Sequence, residues 1–282
     1  MDVHNESDTF EIGGDLAVHR LGYGAMRLCG PKIVGEPDED TDPTAVLQRA
    51  VELGVDFVDT SDAYGPGVNE RQIREALAPY PDDLVVATKG GLLRNRDGDW
   101  IPHGDPDYLR NAVLSSLDRL GVETIDLYQL HRPDPDVPLE ESLTALAELA
   151  DDGVIRHVGV SNVDVDQLER ALDVVDVATV QNRYNVADRE HEAVLDRCEE
   201  EDIGFVPWYP LGAGDLGEKR DALEAVAESH DATPRQVALA WLLERSPVTL
   251  PIPGTSSVPH LESNVAASSL ALTDAEMRRL SE

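Results

Sequence analysis

Lysine is scarce in this chain of 282 residues. Only Lys32, Lys89 and Lys219 are present, and lysine plus arginine total 23 against 56 aspartate plus glutamate, so the formal net charge is −33. Because nucleic acids and anionic membranes are bound by basic surfaces, this balance argues against both as partners. The acidic residues are spread along the chain and predict an acidic surface whose self-repulsion is screened by salt. Such a surface is typical of a halophilic protein from a salt-loaded cytoplasm, such as that of an archaeon.

Cysteine and long apolar runs are also rare. The two cysteines, Cys29 and Cys198, provide no disulfide framework and favour free thiols in a reducing compartment. No apolar run stands at the N-terminus and none of about 18 residues occurs elsewhere, which argues against a secreted or membrane-spanning protein. We therefore expect a cytoplasmic protein whose residues 1–9 are disordered. The oligomeric state stays open and is compatible with a monomer.

Short apolar segments alternate with segments that carry helix signals. Asp42-Pro43, Asp105-Pro106 and Thr233-Pro234 each offer an N-cap followed by a proline at the first helical position. Thr273 begins a capping box. The alternation predicts a parallel α/β fold, and the chain length suits one (β/α)8 barrel. The candidate strands begin near Leu21, Val55, Leu84, Ile125, Ile155, Ala178, Ile203 and Val248.

The carboxyl ends of these strands decide between a closed barrel and an open sheet. Nearly every predicted strand ends in a polar residue, a tryptophan or a glycine, and in a barrel all of these ends converge on one mouth. We therefore predict a single-domain α/β protein, a (β/α)8 TIM barrel over residues 1–282. An N-terminal β-hairpin at residues 10–20 is expected to turn at Gly13-Gly14. The strand-end residues are Asp59, Lys89, His131, Asn162, Gln181, Trp208 and Gly254.

The stretch from Asp59 to Gly65 is the most informative part of the chain. It follows the apolar run Val55–Val58 and places Tyr64 in a glycine-flanked loop. A tyrosine hydroxyl has a pKa near ~10, and a neighbouring cation lowers that pKa. Lys89 ends the next apolar strand, so it is the candidate cation, and Asp59 is the carboxylate that would hold it. The grouping predicts a tyrosine able to exchange a proton with a substrate.

Together with His131 at the end of the following strand, these residues resemble the catalytic tetrad of the aldo-keto reductases, and the similarity covers nearly the whole chain. The resemblance implies NAD(P)H-dependent reduction of an aldehyde or ketone to an alcohol, with Tyr64 as general acid. Lys89 would lower the pKa of Tyr64, and Asp59 would pair with Lys89. Neutral His131 would hold and polarise the carbonyl oxygen. The expected partner is thus a small carbonyl compound.

The same resemblance extends to the cofactor side and implies NADP(H). Ser161, Asn162 and Gln181 resemble the family's contacts to the nicotinamide carboxamide. Trp208 resembles the residue that stacks on the nicotinamide ring and fixes which face is presented. The candidate cofactor-binding residues are Gly24, Ser161, Asn162, Gln181, Trp208, Leu211, Gly212, Gly254, Thr255, Ser256, His260 and Asn264.

The segment from Ile252 to Asn264 resembles the family's binding site for the adenosine phosphate. In this chain Gly254 replaces a lysine, and His260 stands where an arginine is common. A 2′-phosphate prefers cationic partners, so these replacements weaken the preference for NADP(H) and leave NAD(H) as a possible cofactor. Hydroxyl groups, such as that of Ser256, remain as phosphate ligands of lower strength.

The run from Gly212 to Gly217 satisfies the dinucleotide-binding pattern G-x-G-x-x-G. A Rossmann fold does not follow, because Pro207 and Pro210 interrupt the preceding apolar run and a central strand does not accept them. Too little chain follows for a doubly wound domain. By resemblance, these glycines form the loop that closes over the cofactor pyrophosphate.

Substrate contacts are expected from the loops, with Met26, Trp100 and His103 as candidate pocket walls. The chain ends soon after its last predicted helix, so it lacks the long C-terminal loop of the steroid and sugar reductases, and a shallow, open pocket is expected. Segments such as Leu21–Met26 and Pro253–Ser256 resemble the pyridoxal reductase branch of the family. Pyridoxal is therefore one candidate substrate, beside a general aldehyde or ketone.

Two other functions are compatible with a barrel of this kind. A regulatory subunit of the same fold would bind the cofactor without significant turnover, although the intact tetrad argues against it. A barrel enzyme with a catalytic metal would need a cluster of ligands, and the sequence offers no His-x-His pair or carboxylate cluster. We therefore predict no metal site.

Overall fold

The structure is a computed structural model that describes residues 9–214 and 216–282, except for the side chain of residue 213. The predicted disorder of residues 1–9 lies outside the described residues except at Thr9, and Asp215 of the glycine-rich run lies outside them as well.

The strands are β1 (Thr9–Ile12), β2 (Leu16–His19), β3 (Tyr23–Gly24), β4 (Phe57–Asp59), β5 (Val85–Gly90), β6 (Leu92–Arg94), β7 (Trp100–Pro102), β8 (Ile125–Leu130), β9 (Ile155–Ser161), β10 (Val177–Gln181) and β11 (Gly204–Phe205). The α-helices are α1 (Pro43–Glu52), α2 (Val68–Leu77), α3 (Pro106–Leu120), α4 (Leu139–Asp151), α5 (Val165–Leu172), α6 (Glu192–Glu200), α7 (Arg220–His230), α8 (Pro234–Arg245), α9 (Val258–Val265) and α10 (Asp274–Ser281).

The parallel sheet curls into a closed barrel. Its seven strands follow the order β11-β10-β9-β8-β5-β4-β3, and every pair of neighbours is parallel. Residues 249–251 fill the eighth position. The Leu250 N–H donates to the Phe205 carbonyl at 2.7 Å on one side, and the Gly22 N–H donates to the Pro251 carbonyl at 3.0 Å on the other. The predicted (β/α)8 barrel is confirmed.

The helix starts follow the local signals in the sequence. Asp42 caps α1 by accepting the Ala45 N–H, and Thr233 and Thr273 form capping boxes at the starts of α8 and α10. A cap of this kind stabilises a helix by about 1 kcal/mol because it satisfies an otherwise unpaired backbone N–H. These helix starts were predictable because capping depends on only four consecutive residues.

The hairpin of β1 and β2 covers the amino-terminal ends of the barrel strands. Gly13 and Gly14 form its turn with φ of +62° and +80°, a backbone region that favours glycine. A Cβ atom at position 13 would lie 2.2 Å from the His157 ring near the start of β9. Asp15 holds the hairpin there through His157 at 2.6 Å and Arg156 at 3.0 Å. The carboxyl ends of the strands, where the polar residues stand, are left uncovered.

Three observations bear on other classes of function. In the ranges that the structure describes, no helix is long and apolar enough to cross a membrane. No three His, Cys, Asp or Glu side chains of the described residues are grouped to hold a metal ion. Cys29 and Cys198 are buried free thiols, and burial raises the pKa of each to about 12, which makes them poor nucleophiles.

Candidate active site

A polar layer lies inside the barrel near the carboxyl ends of β4, β5 and β8. The parallel register pairs Asp59 with Ala87 and Lys89 with Gln129. Because side chains two residues apart share one face of a strand, this register directs Asp59, Lys89 and Gln129 toward the same interior layer. Gly159 on β9 makes room for them, since a Cβ atom there would lie 2.9 Å from the Gln129 side chain. The strand register thus brings together residues that are 70 positions apart.

Asp59 and Lys89 form a fully buried ion pair. The Lys89 Nζ lies 2.6 Å from Asp59 Oδ1 and also donates to the Thr60 carbonyl at 2.8 Å. The second carboxylate oxygen accepts hydrogen bonds from Gln181 at 2.8 Å and Gln129 at 3.3 Å. A buried charge pair is tolerated only when its remaining donors and acceptors are also satisfied. This network meets that condition and fixes the position of the ammonium group.

Tyr64 lies beside this pair, with its hydroxyl oxygen 3.5 Å from the Lys89 Nζ. Burial raises the pKa of Tyr64 well above its usual value, and the carboxylate of Asp59 raises it further. The net shift is thus upward, opposite to the lowering expected from Lys89, because burial of the phenol is the largest contribution. The phenol stays protonated at neutral pH.

His131 follows β8 and stands next to Tyr64, with 5.8 Å between the two ring centroids. Its backbone N–H donates to the Gly90 carbonyl at 2.8 Å, and its Nδ1 lies 3.0 Å from Ser61 Oγ. Burial lowers the pKa of His131 well below its usual value, and the nearby Lys89 charge lowers it further. The ring is therefore neutral at physiological pH, and Nε2 is the nitrogen left for a ligand.

Tyr64 and His131 open into a cavity of about 600 Å³ at the carboxyl ends of the strands. Trp100 forms a third aromatic wall, with its ring 6.2 Å from those of both Tyr64 and His131. The antiparallel hairpin of β6 and β7 carries Trp100 and pairs it with Arg94, whose guanidinium stacks on the indole at 3.5 Å. Such a cation–π contact holds the indole in place over the cavity.

The opposite side of the cavity is formed by β9, β10 and the segment after β11. Asn162 adopts φ of +60°, a left-handed conformation that asparagine tolerates better than most residues. Its amide nitrogen donates to the His131 carbonyl at 2.9 Å, and its amide oxygen accepts the Trp208 indole N–H at 3.1 Å. Asn162 therefore joins the indole of Trp208 to the strand end that carries His131.

Known proteins are similar to this chain over almost its full length. The sequence model of the Aldo/keto reductase family matches residues 20–282. The chain belongs to the aldo/keto reductase family. An uncharacterized oxidoreductase of Schizosaccharomyces pombe is 47% identical over 278 residues, which cover 99% of this chain and 90% of that protein. Pyridoxine 4-dehydrogenase of Escherichia coli is 45% identical over 275 residues, 95% of each chain.

A solved structure also resembles this aldo/keto reductase. The crystal structure of an aldo-keto reductase from Klebsiella pneumoniae in complex with NADPH superposes with a TM-score of 0.82 and 28% sequence identity. The match covers 97% of this chain and 93% of that one.

The cavity of this aldo/keto reductase collects most of the predicted site residues, but His103 is not among them. Pro102 pairs with Leu92 at the end of the β6–β7 hairpin, and the chain then leaves the cavity, so His103 packs against Tyr108 of α3 at 4.6 Å. Lys89 lies behind the cavity wall, fully buried. The predicted residues that line the cavity are Gly24, Met26, Asp59, Tyr64, Trp100, His131, Ser161, Asn162, Gln181, Trp208, Leu211 and Gly254, whereas Gly212, Thr255, Ser256, His260 and Asn264 lie outside its lining.

Several residues that the structure brings to the site were not predicted from the sequence. Gln129 stands two positions before His131 on β8, and this period-two spacing is a signal that predicts a shared face. Ser61 lay within the Asp59–Gly65 stretch, but nothing in the sequence indicated its contact with His131. Arg94 has no signal of this kind, because its contact with Trp100 depends on a hairpin inside a segment read as a loop.

Proposed function

We propose that this aldo/keto reductase reduces an aldehyde or ketone to the alcohol with NADPH as hydride donor and Tyr64 as general acid. The observation that carries the proposal is the meeting of the Tyr64 hydroxyl and the His131 ring in one cavity, in front of the buried Asp59–Lys89 pair. A carbonyl oxygen placed between the two rings would be within reach of a proton donor and a second hydrogen-bond donor.

Ser61 sets the tautomer of His131 in this proposal. Ser61 Oγ accepts the Ala63 N–H at 3.1 Å, and the nearest acceptor for its hydroxyl hydrogen is Nδ1 of the neutral imidazole at 3.0 Å. Asp62 Oδ1 at 3.2 Å and the Lys89 carbonyl at 3.4 Å are farther away. With Nδ1 as acceptor, the ring proton sits on Nε2 and is available to the carbonyl oxygen. His131 then polarises the carbonyl group without carrying a charge.

The proton and hydride reach different atoms of the substrate. When bound, NADPH supplies a hydride to the carbonyl carbon. Tyr64 transfers its phenolic proton to the carbonyl oxygen, and Lys89 at 3.5 Å stabilises the phenolate that remains. Asp59 and its glutamine partners keep the ammonium group oriented toward Tyr64 during this charge change.

The side of the cavity formed by Trp208 fits a nicotinamide cofactor. Trp208 lines the cavity and its indole N–H is held by Asn162, so the ring offers a fixed surface for stacking. Gln181 donates to Asp59 through its amide nitrogen and keeps its amide oxygen as an acceptor for a carboxamide. The side chain of Ser257 does not cap the start of α9, so the backbone N–H groups at this helix start suit a phosphate. The related Klebsiella pneumoniae reductase supports NADPH as the cofactor because it was crystallised with it.

Pyridoxal is the specific substrate that we propose to test first. The relative at 45% identity is named pyridoxine 4-dehydrogenase, and the alcohol and aldehyde forms of this vitamin differ by one hydride and one proton. The three aromatic rings around the carbonyl position suit a flat, heteroaromatic aldehyde.

A cofactor titration followed by tryptophan fluorescence tests the proposal. We expect saturable quenching with NADPH and weaker binding of NADH. Trp241 is fully buried and provides a constant background, whereas Trp100 and Trp208 line the cavity. Trp208→Phe should remove most of the quenching and Trp100→Phe should retain it. A folded sample that binds neither cofactor, or that binds NADPH but reduces no carbonyl compound including pyridoxal, would overturn the proposal.

The pH dependence of the two reaction directions gives a second test. Because the pKa of Tyr64 is raised well above about 10 and that of His131 is lowered well below its usual value, the phenol and the neutral imidazole coexist through the neutral range. We expect kcat/KM for carbonyl reduction to stay level between about pH 6 and pH 9. Alcohol oxidation requires the phenolate and should rise with pH throughout. Burial raises the pKa of Asp62, which accepts from Ser61 at 3.2 Å, to about 7. A step near the ordinary histidine pKa in the reduction profile that persists in Asp62→Asn would therefore contradict the assigned state of His131.

A further inference from the structure

The cavity carries the opposite charge to the rest of the chain. Acidic residues outnumber basic ones by 56 to 23 in the sequence. In the lining of the cavity, counted over the described residues, Asp59 is the only carboxylate, and it is paired with Lys89. Concave sites with one sign of charge raise the local concentration of ligands of the opposite sign. The basic residues of the lining are Arg27, Lys32, Arg132 and Arg183.

Two of these four cations lie on the side that we assign to the cofactor. A Cβ atom at Gly254 would lie 3.5 Å from Arg27 Cγ, which places Arg27 beside the segment assigned to the adenosine phosphate. Arg183 forms a backbone bridge with Trp208, the proposed stacking partner of the nicotinamide. The negative charges of NADPH account for Arg27, whereas Arg183 is already paired with Asp188 at 2.7 Å.

Lys32 lines the cavity beside the β6–β7 hairpin that carries Trp100, and Arg132 lines it next to His131. A Cβ atom at Gly98, in the turn between β6 and β7, would lie 3.3 Å from Lys32 Cβ. Arg132 directly follows His131, and its charge contributes to the lowered pKa of that ring. Among the residues that the structure describes, Lys32 Nζ donates only to a backbone carbonyl, that of Asp97 at 3.3 Å. Neither cation has an ion pair with a carboxylate of residues 9–214 or 216–282.

The backbone around Lys32 is held in an uncommon conformation. Lys32 and Ile33 both have φ of +58°, and left-handed backbone is unfavourable for a β-branched residue such as isoleucine. Arg94 maintains it by donating to the Ile33 carbonyl at 3.3 Å and the Gly98 carbonyl at 2.9 Å while it stacks on Trp100. Arg94 therefore fixes the loop that carries Lys32. It also fixes Trp100, the aromatic wall between this loop and the carbonyl position.

We propose that the carbonyl substrate carries an oxyanion group, a carboxylate or a phosphate, which Lys32 and Arg132 bind while Trp100 contacts the middle of the molecule. The inference rests on the proposed function, because it names the substrate class of the same site. Arginine and lysine together suit this ligand, since the guanidinium gives two parallel hydrogen bonds and the ammonium adds a mobile charge.

Matched aldehydes test the inference. We expect the wild type to reduce 4-carboxybenzaldehyde with a kcat/KM about tenfold above that for methyl 4-formylbenzoate, which has the same ring and aldehyde but no charge. Lys32→Gln and Arg132→Gln should each lower this ratio by about threefold. Pyridoxal 5′-phosphate and pyridoxal, compared in the same way, distinguish a phosphate from a carboxylate preference. The ratios should also fall when KCl is raised from about 0.2 M to about 2 M.

Arg96→Gln is the matched control, because Arg96 lies on the same β6–β7 turn, is exposed and does not line the cavity. It removes one positive charge and should leave every ratio unchanged. Equal kcat/KM values of the wild type for the charged and neutral aldehydes would overturn the inference while leaving carbonyl reduction in place. The same charged-to-neutral ratio in the wild type and all three variants would also overturn it. If no aldehyde is reduced although NADPH quenches the fluorescence, the proposed function fails, and this inference fails with it.

Discussion

Replacing Tyr64 with phenylalanine is expected to lower kcat for carbonyl reduction by about 10³-fold, the range in which a positioned general acid contributes. The substitution removes the phenolic proton and keeps the ring, so the aromatic contacts with Trp100 and His131 persist. Lys89 stays paired with Asp59 at 2.6 Å, and no buried charge loses its partner. The structural cost should therefore be small, and the lost rate should come from the missing proton donor.

NADPH binding separates this explanation from a collapsed site. The dissociation constant of NADPH, measured by quenching of tryptophan fluorescence, should stay within about twofold of the wild type because Tyr64 faces the carbonyl position. Tyr80→Phe is a suitable control: its hydroxyl donates to the Leu120 carbonyl at 2.7 Å, away from the cavity. That variant should lose about 1 kcal/mol of stability and no activity. Retention of most of kcat by Tyr64→Phe would show that another group supplies the proton.

The barrel and the convergence of its polar strand ends were predictable because both depend on features that a sequence displays directly, whereas the role of each residue was inferred from the resemblance to the family. Strand ends such as Asp59, Lys89 and His131 stand at the carboxyl side of apolar runs, and a closed barrel has only one place where such ends meet. Capping residues such as Thr233 fix the helix starts locally. Nothing beyond periodicity, capping and the parallel α/β order was needed to bring these residues to one mouth.

The direction of the Tyr64 pKa shift was not predictable from the sequence. The largest cause of the shift is the burial of the phenol, and the charge of Asp59 adds to it. The burial follows from the path of the loop after Asp59 and from the walls that Trp100 and His131 place beside the Tyr64 ring. A sequence gives the residues of such a site but does not give how far a hydroxyl group is removed from water, which decides the sign of this shift.

The pocket wall illustrates the same limit at the level of backbone structure. The sequence predicts a loop after β5 and places both of its aromatic rings, Trp100 and His103, in the pocket. In the structure a short hairpin pairs Trp100 with Arg94, and the strand ends before His103. Because the side-chain period in a strand is two, a single unrecognised hairpin decides which residue faces the cavity.

Removal of the Lys89 charge is expected to affect stability and activity together. Lys89→Met leaves the Asp59 carboxylate buried without its cation, and breaking a buried pair in this way typically costs about 3–5 kcal/mol. Asp59→Asn has a similar cost because it leaves the Lys89 ammonium group buried without its carboxylate. In that variant the pKa of Lys89, already lowered by burial, loses the carboxylate that raises it, so the lysine tends to become neutral. A loss of activity in either single variant would therefore not distinguish a catalytic role of the pair from a structural one.

The double variant Lys89→Met with Asp59→Asn separates the two roles. It removes both charges, so no uncompensated ion is buried, and Gln181 and Gln129 keep an amide oxygen to bind at position 59. We expect the midpoint of urea unfolding to return most of the way to the wild type, a coupling of several kcal/mol between the two sites. Carbonyl reduction should not return, because the phenolate of Tyr64 still lacks its cation. If activity recovered together with stability, the pair would serve only to hold the barrel interior, and the acid strength of Tyr64 would have to be set by another group.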